Sequence, residues 1–192
     1  LSTNTAVGLL PKNYDPHTVE DKVRALWRRT SAYEIARQSR MSGAKWYFLD
    51  GPPFPSSDTP HLGTAWNKIL KDTMVRFKRM QGFNVRDQPG YDCHGLPIEL
   101  EMERRFGVGQ KHELEAVGLE RFISECIKFA KENSKSMSAV FADLGVWMDW
   151  DHPYMTLDDS YMESVWWAIK EAHRHNLFEH TLKVVHWCPR CE

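Results

Sequence analysis

Lys45-Trp46-Tyr47-Phe48-Leu49-Asp50-Gly51-Pro52-Pro53-Phe54 decides the fold, together with the Pro60-His61-Leu62-Gly63-Thr64 that follows a polar turn. Trp46 to Leu49 form a short apolar, aromatic-rich block stopped by Gly-Pro-Pro, which predicts a strand buried on both faces. Pro52, Pro53, Pro55 and Pro60 fit neither a central strand nor a helix interior, so residues 51–60 are a shaped loop. Beyond it, Trp66, Ile69, Leu70, Thr73, Met74 and Phe77 recur at helical spacing. They predict a helix that buries this stripe and leaves Lys68, Lys71, Arg76 and Lys78 largely off it.

A helix start carries unpaired backbone N–H groups and the positive end of the helix dipole, so it attracts phosphate. His61 and Gly63 stand at that start: a histidine adds a side-chain donor, and a glycine lets a bulky ligand approach the backbone. A lone His-x-Gly is more often only a helix cap behind a stiff surface turn, because short motifs recur by chance.

Working outward, Gly82 ends the helix, and Phe83 to Gln88 predict a second strand closed by Pro89-Gly90. Strand, helix and strand make a parallel unit, whose ligands bind at the carboxyl ends of the strands. The loops at 50–64 and 89–97 therefore open on one rim. Upstream, Asp15-Pro16-His17-Thr18 predicts a helix capped by Thr18 and packed outside the sheet, after a flexible lead-in over residues 1–13. Downstream come a short helix ending at Gly107 and a longer one. The longer helix carries Leu119, Phe122, Ile123, Cys126, Ile127 and Ala130, continues through Met137, Val140 and Phe141, and ends at Gly145. Trp147, Trp150, Tyr154 and Met155 read as core aromatics, and a helix follows from Asp158 or Ser160 to His173. Lys183 to Trp187 alternates like a strand and delivers Cys188-Pro189-Arg190-Cys191, whose spacing suits half of a tetrahedral zinc knuckle.

A formal net charge of -1 creates no global basic field, although the Lys68–Arg79 helix is locally basic. No stretch approaches the length needed to span a bilayer, and Leu1 to Leu10 lacks the pattern of an export signal. The chain has 4 cysteines, which do not form an extracellular disulfide framework, so a cytoplasmic, reducing setting is expected.

Five blocks occur in order: Asp50-Gly51-Pro52-Pro53-Phe54, Pro60 to Thr64, Asn67-Lys68-Ile69-Leu70-Lys71-Asp72, Gly90-Tyr91-Asp92-Cys93-His94-Gly95-Leu96-Pro97-Ile98-Glu99, and Cys188-Pro189-Arg190-Cys191. Together they resemble the amino-terminal part of a class I aminoacyl-tRNA synthetase, most closely of the isoleucyl branch. The resemblance implies an α/β fold: part of a Rossmann-like parallel-sheet nucleotide-binding catalytic domain with helical insertions and a partial zinc knuckle. It divides the chain into a lead-in and helix (1–44), the first half of the catalytic domain (45–187) and the start of the zinc-knuckle and editing region (188–192). By the same resemblance the carboxyl-terminal remainder of the enzyme lies beyond this chain, and aromatic surface that it covers is left exposed.

The implied activity is ATP-dependent activation of isoleucine to isoleucyl-adenylate, then transfer to tRNA(Ile), with the chain alone not fully active. The partners are isoleucine, ATP with Mg2+ and tRNA(Ile), with no membrane. Neither step needs a protein nucleophile, because orientation and stabilisation of phosphoryl charge carry the rate. His61, Leu62, Gly63 and Thr64 take the ATP site, with His61 and Thr64 as the catalytic donors. Asp50, Gly51, Pro52 and Asp92 take the amino-acid site, Asp92 pairing with the substrate ammonium. Cys188 and Cys191 take a Zn2+ whose other ligands lie elsewhere.

Thr64 stands where the family usually has a second histidine, and Tyr91 where it usually has a tryptophan. Ser134-Lys135-Ser136-Met137-Ser138 is a scrambled version of the family's mobile lysine signature and continues an amphipathic helix, so it is not that signature. One methylene separates isoleucine from valine, worth only about 1–3 kcal/mol in an apolar pocket, a limit for which isoleucyl synthetases are the standing illustration. Editing by a second site is therefore expected in the complete enzyme. Two alternatives stand beside this reading: a valyl-tRNA synthetase fragment, and a non-catalytic zinc-knuckle RNA-binding module built on Lys68–Arg79 and Cys188–Cys191.

Overall fold

The structure is a computed structural model that describes residues 13–110 and 113–189. The lead-in lies almost wholly outside the described residues, as does Cys191. The first helix, α1 (Pro16–Thr30), is capped by Asp15 rather than Thr18: the Asp15 carboxylate accepts from His17 N–H at 3.2 Å and from the Thr18 hydroxyl. Pro16 at the first helical position explains the difference, since proline costs nothing where the N–H is unpaired anyway. No residue of α1 is buried. It leans on Trp147 through Trp27, ring centroids 5.1 Å apart, and on the end of a later helix through Arg24 and the Asp143 carbonyl.

After α2 (Ala32–Gln38), β1 (Lys45–Tyr47) pairs in parallel with β2 (Asn84–Arg86), Trp46 opposite Val85, and α3 (Leu62–Met80) crosses between them. The parallel unit predicted from the sequence is present. Gly43 lets β1 start: a Cβ there would overlap the carbonyl of Gly82 at the foot of β2. β1 is not buried on both faces, however. Tyr47 is 66% exposed and Leu49 65%, because β2 is its one strand partner among the described residues and its faces are left uncovered.

Helix α3 is inverted relative to expectation. Its buried residues are Lys68, Asp72, Val75 and Arg79, while Trp66, Ile69, Leu70, Met74 and Phe77 are all exposed. The cause is complementary charge on neighbouring elements. Arg79 pairs with buried Asp87 at 2.7 Å, Lys68 with buried Asp50, and Asp72 accepts from Trp147 N–H at 2.8 Å. Arg76 lies over the Trp147 ring at 4.1 Å. Charged groups are buried here because each is paired or stacked.

Gly90–Tyr91 form β3, parallel to β4 (Tyr154–Met155), where the sequence suggested only loop. Helix α4 (Leu96–Phe106) ends at Gly107, whose φ of 70° is left-handed, and the short α5 (Leu114–Val117) leads into α6 (Leu119–Asp143). The scrambled lysine segment lies inside α6, with Ser134 buried and bonded to the Ala130 carbonyl. The hydrophobic core lies between α4, α6 and β3 and includes Tyr91, Ile98, Met102, Phe122, Phe129, Met137, Phe141 and Met148. Trp150 stacks on Phe141 at 5.8 Å, as the core assignment of that aromatic stretch predicts. Helix α7 (Asp159–Arg174) follows. Residues 183–187 are exposed and form no strand, because they have no neighbouring backbone to pair with among the described residues.

Candidate active site

Both motif loops follow parallel strands, and they touch. The backbone N–H of Asp92 donates to the carbonyl of Pro53 at 2.9 Å, placing the loop after β3 against the proline loop before α3. Asn133 of α6 donates to the carbonyl of buried Pro55 at 3.0 Å and pins the same proline loop from below.

His61 is the N-cap of α3. Its Nδ1 accepts from Thr64 N–H at 3.2 Å, and its Nε2 lies 2.9 Å from Thr64 Oγ1. With Nδ1 accepting, the proton of the neutral ring sits on Nε2 and is donated to the Thr64 hydroxyl, whose own hydrogen is then free to point outward. Gly63 makes this fold of the ring possible, since a Cβ there would press on the imidazole at 3.1–3.2 Å. His61, Leu62 and Gly63 are exposed and Thr64 half-buried, so the turn faces solvent with its backbone N–H groups at the rim. The cap and the exposed helix start are thus the same object.

Asp92 is half-buried, and Thr156 of the segment after β4 holds it. The Thr156 hydroxyl donates to Asp92 Oδ1 at 3.4 Å and accepts from Cys93 N–H at 2.8 Å, while Thr156 N–H donates to the Tyr91 carbonyl at 3.1 Å. Tyr91 is fully buried, bonds Ser138 of α6 at 2.6 Å, and has its phenol pushed up to about 12 by burial. Burial likewise pushes the Cys93 thiol up to about 11, so it stays protonated and unreactive at neutral pH.

Asp50 is different in kind. Its side chain has no exposed surface, and its carboxylate is taken up by Lys68, Lys71 and the N–H of Gly90. Gly51 is exposed and Pro52 half-buried beside it. Lys68, Lys71, Tyr154 and Thr156 were not among the candidate site residues expected from the sequence. Lys68 and Lys71 sit in the third motif block, but their spacing alone says surface helix. Thr156 carries no sequence signal at all, because its partner lies 64 residues away.

Cavities flank these loops. One of about 400 Å3 opens beyond the ends of β1 and β2 and is lined by Tyr47, Arg86, Tyr154 and Tyr161 among others. Another, of about 250 Å3, lies behind Cys93 and His94 against α6 and is mainly apolar. The described residues contain no group of three or more His, Cys, Asp or Glu able to hold a metal, and Cys188 is exposed on an irregular segment. They do not make a complete zinc site. No helix among them is long and apolar enough to cross a membrane.

The sequence profile of tRNA synthetases class I (I, L, M and V) matches residues 22–192. The chain is 52% identical over 182 residues to the isoleucine--tRNA ligase of Methanothermobacter marburgensis, covering 94% of this chain and 17% of that enzyme. It is 49% identical over 182 residues to that of Thermococcus kodakarensis, with the same coverage of each. It thus spans about a sixth of the length of the curated relatives it matches. Among solved structures, the LeuRS of Agrobacterium radiobacter K84 (agnB2), in a ternary complex with tRNA and LeuAMS, superposes with a TM-score of 0.60. It does so at 22% identity over 86% of this chain and 18% of that one, which speaks for the fold. The chain belongs to the class I tRNA synthetases of the isoleucine, leucine, methionine and valine group.

Proposed function

We propose that this chain carries the adenylate-forming loops of an isoleucine--tRNA ligase, which joins isoleucine to ATP and passes the aminoacyl group to tRNA(Ile). The observation that carries the reading is the contact between the two loops, Asp92 N–H to the Pro53 carbonyl at 2.9 Å. The close identity to isoleucine--tRNA ligases supports the choice of amino acid.

In the activation step the carboxylate of isoleucine attacks the α-phosphorus of ATP, a P–O bond forms, and pyrophosphate leaves. The negative charge that builds on the α-phosphate meets the N–H groups of the α3 start and the Thr64 hydroxyl, itself polarised by His61 Nε2–H. Such prearranged donors are worth most where charge develops, and a hydroxyl backed by an imidazole fills the role of the family's second histidine. Asp92, oriented by Thr156, pairs with the α-ammonium and turns the carboxylate toward phosphorus. Gly51 and Pro52 supply backbone and an apolar wall for the side chain. Mg2+ arrives with the ATP phosphates, and no carboxylate here is assigned to it. A zinc ion on Cys188 and Cys191 would take its other ligands from outside the described residues, and no step runs through it.

Pyrophosphate exchange by the full-length protein tests the reading. Isoleucine should support exchange at a kcat/KM at least about tenfold above valine, the scale that one methylene allows. Exchange driven equally by valine, or by neither amino acid, contradicts it.

A further inference from the structure

Asp50 joins the two motif loops from a fully buried position. Oδ1 accepts from Lys71 Nζ at 2.8 Å; Oδ2 accepts from Lys68 Nζ and from the backbone N–H of Gly90 at 3.0 Å. Its carbonyl accepts from the Tyr154 hydroxyl, whose phenol is held protonated, pushed up to about 12 by burial and then by the nearby Asp50 charge. Lys71 also donates to the Gly51 carbonyl at 2.9 Å. These donors come from α3 on one hand and from the segment leading to Asp92 on the other. Lys68 and Lys71 stand on α3, two to three turns from His61, and Gly90 stands two residues before Asp92. The approach is too close for any other residue at Gly90, since a Cβ there would overlap the Tyr154 ring.

We propose that Asp50, with Lys68 and Lys71, is a latch that sets the spacing between the phosphate-facing turn and the Asp92 loop: a positioning residue, not a contact to the amino acid. The proposal rests on the adenylate reading of those loops. A 19-residue helix moves as a rod, so a displacement at Lys68 is passed to the His61–Thr64 turn. Misplacement by about 1 Å costs on the order of 100-fold in rate when reacting groups must be aligned. Burial, and then the neighbouring Lys71 ammonium, push the Lys68 pKa down, and the Asp50 carboxylate partly offsets both; the Phe141 and Trp150 rings, with centroids 5.3 Å and 5.8 Å from the ammonium, add to the attraction.

The test uses the full-length enzyme with Asp50→Asn and with the pair Asp50→Asn/Lys68→Met, followed by isoleucine-dependent pyrophosphate exchange, thermal unfolding and hydrogen exchange without substrates. The latch predicts that Asp50→Asn lowers kcat at least about tenfold while KM for isoleucine and KM for ATP each stay within about threefold. The Gly90 amide should exchange at least about tenfold faster than in the parent. The double variant, rid of its unpaired buried ammonium, should regain the thermal midpoint but not kcat. A rise in the KM for isoleucine alone, with kcat kept, would make Asp50 a substrate contact and overturn the proposal. Recovery of kcat in step with the midpoint would reduce the cluster to packing, and unchanged Gly90 protection would remove the latch. Failure of the functional reading shows separately, as absent isoleucine exchange in the unsubstituted enzyme, while the Gly90 measurement still decides the latch.

Discussion

At the residue scale the site depends on side chains that orient other side chains. Thr156 is the clearest, because one hydroxyl serves both Asp92 and the buried N–H of Cys93. Thr156→Val keeps the shape and removes both bonds. It should raise the KM for isoleucine about tenfold and destabilise the fold by about 1–3 kcal/mol, the cost of leaving a buried donor unpaired. Exchange kinetics and urea unfolding check this, and an unchanged KM would free Asp92 from Thr156. The helix cap at His61 was legible in the sequence because capping is local chemistry, whereas Asp92 entered the site through the family resemblance alone. Thr156 was not legible, since hydrogen bonds across 63 and 64 residues leave no periodic trace.

At the scale of elements, the β1–α3–β2 unit and the long helices were readable, whereas the facing of α3 was not and the strand expected over 183–187 is absent. The β1–α3–β2 unit, the glycine that ends α4 and the continuous α6 all follow from period and breaker residues. Periodicity correctly grouped the residues of α3 by face, yet it could not say which face is covered. The deciding groups, Asp50 and Asp87, lie on other segments and reverse the hydrophobic expectation by pairing with Lys68 and Arg79. The two-residue strand β3 was missed for a similar reason, as only its pairing with β4 defines it.

A local ion cluster on α4 gives a pH prediction. Hydrogen bonds from Arg104, then Arg105, hold the Glu101 carboxyl down at about 2, against an ordinary value of 4.5. A depressed carboxylate stabilises the fold above its ordinary range and loses that contribution as pH falls toward its folded value. Glu101→Gln should therefore lower the unfolding free energy from urea titration slightly at pH 7, by under about 1 kcal/mol for a largely surface cluster, and the gap should close as pH falls to about 2. Equal unfolding free energies at pH 7 would mean that the cluster contributes nothing.

At the scale of the whole molecule, an apolar surface remains uncovered. Exposed apolar side chains lie along the outer stripe of α3, at Tyr47 and Leu49 by β1, and at Trp166 and Trp167 of α7, the latter 69% and 65% exposed. Large contiguous apolar surface on an isolated chain drives association. The 192-residue chain alone should show concentration-dependent assembly in sedimentation. Trp66→Glu with Leu70→Glu should reduce it without lowering the thermal midpoint, since neither side chain is buried. Assembly unchanged by these substitutions would place the sticky surface elsewhere.

The central claim is that two loops meet across one crevice to hold an adenylate. A crystal structure of the full-length protein with a non-hydrolysable isoleucyl-adenylate analogue tests it directly. The account predicts the phosphate within hydrogen-bond distance of the backbone and hydroxyl of residues 61–64 and the ammonium on Asp92, with Asp50 still buried beneath. An analogue bound instead in the cavity lined by Tyr47, Arg86 and Tyr161, touching neither His61 nor Asp92, would contradict it.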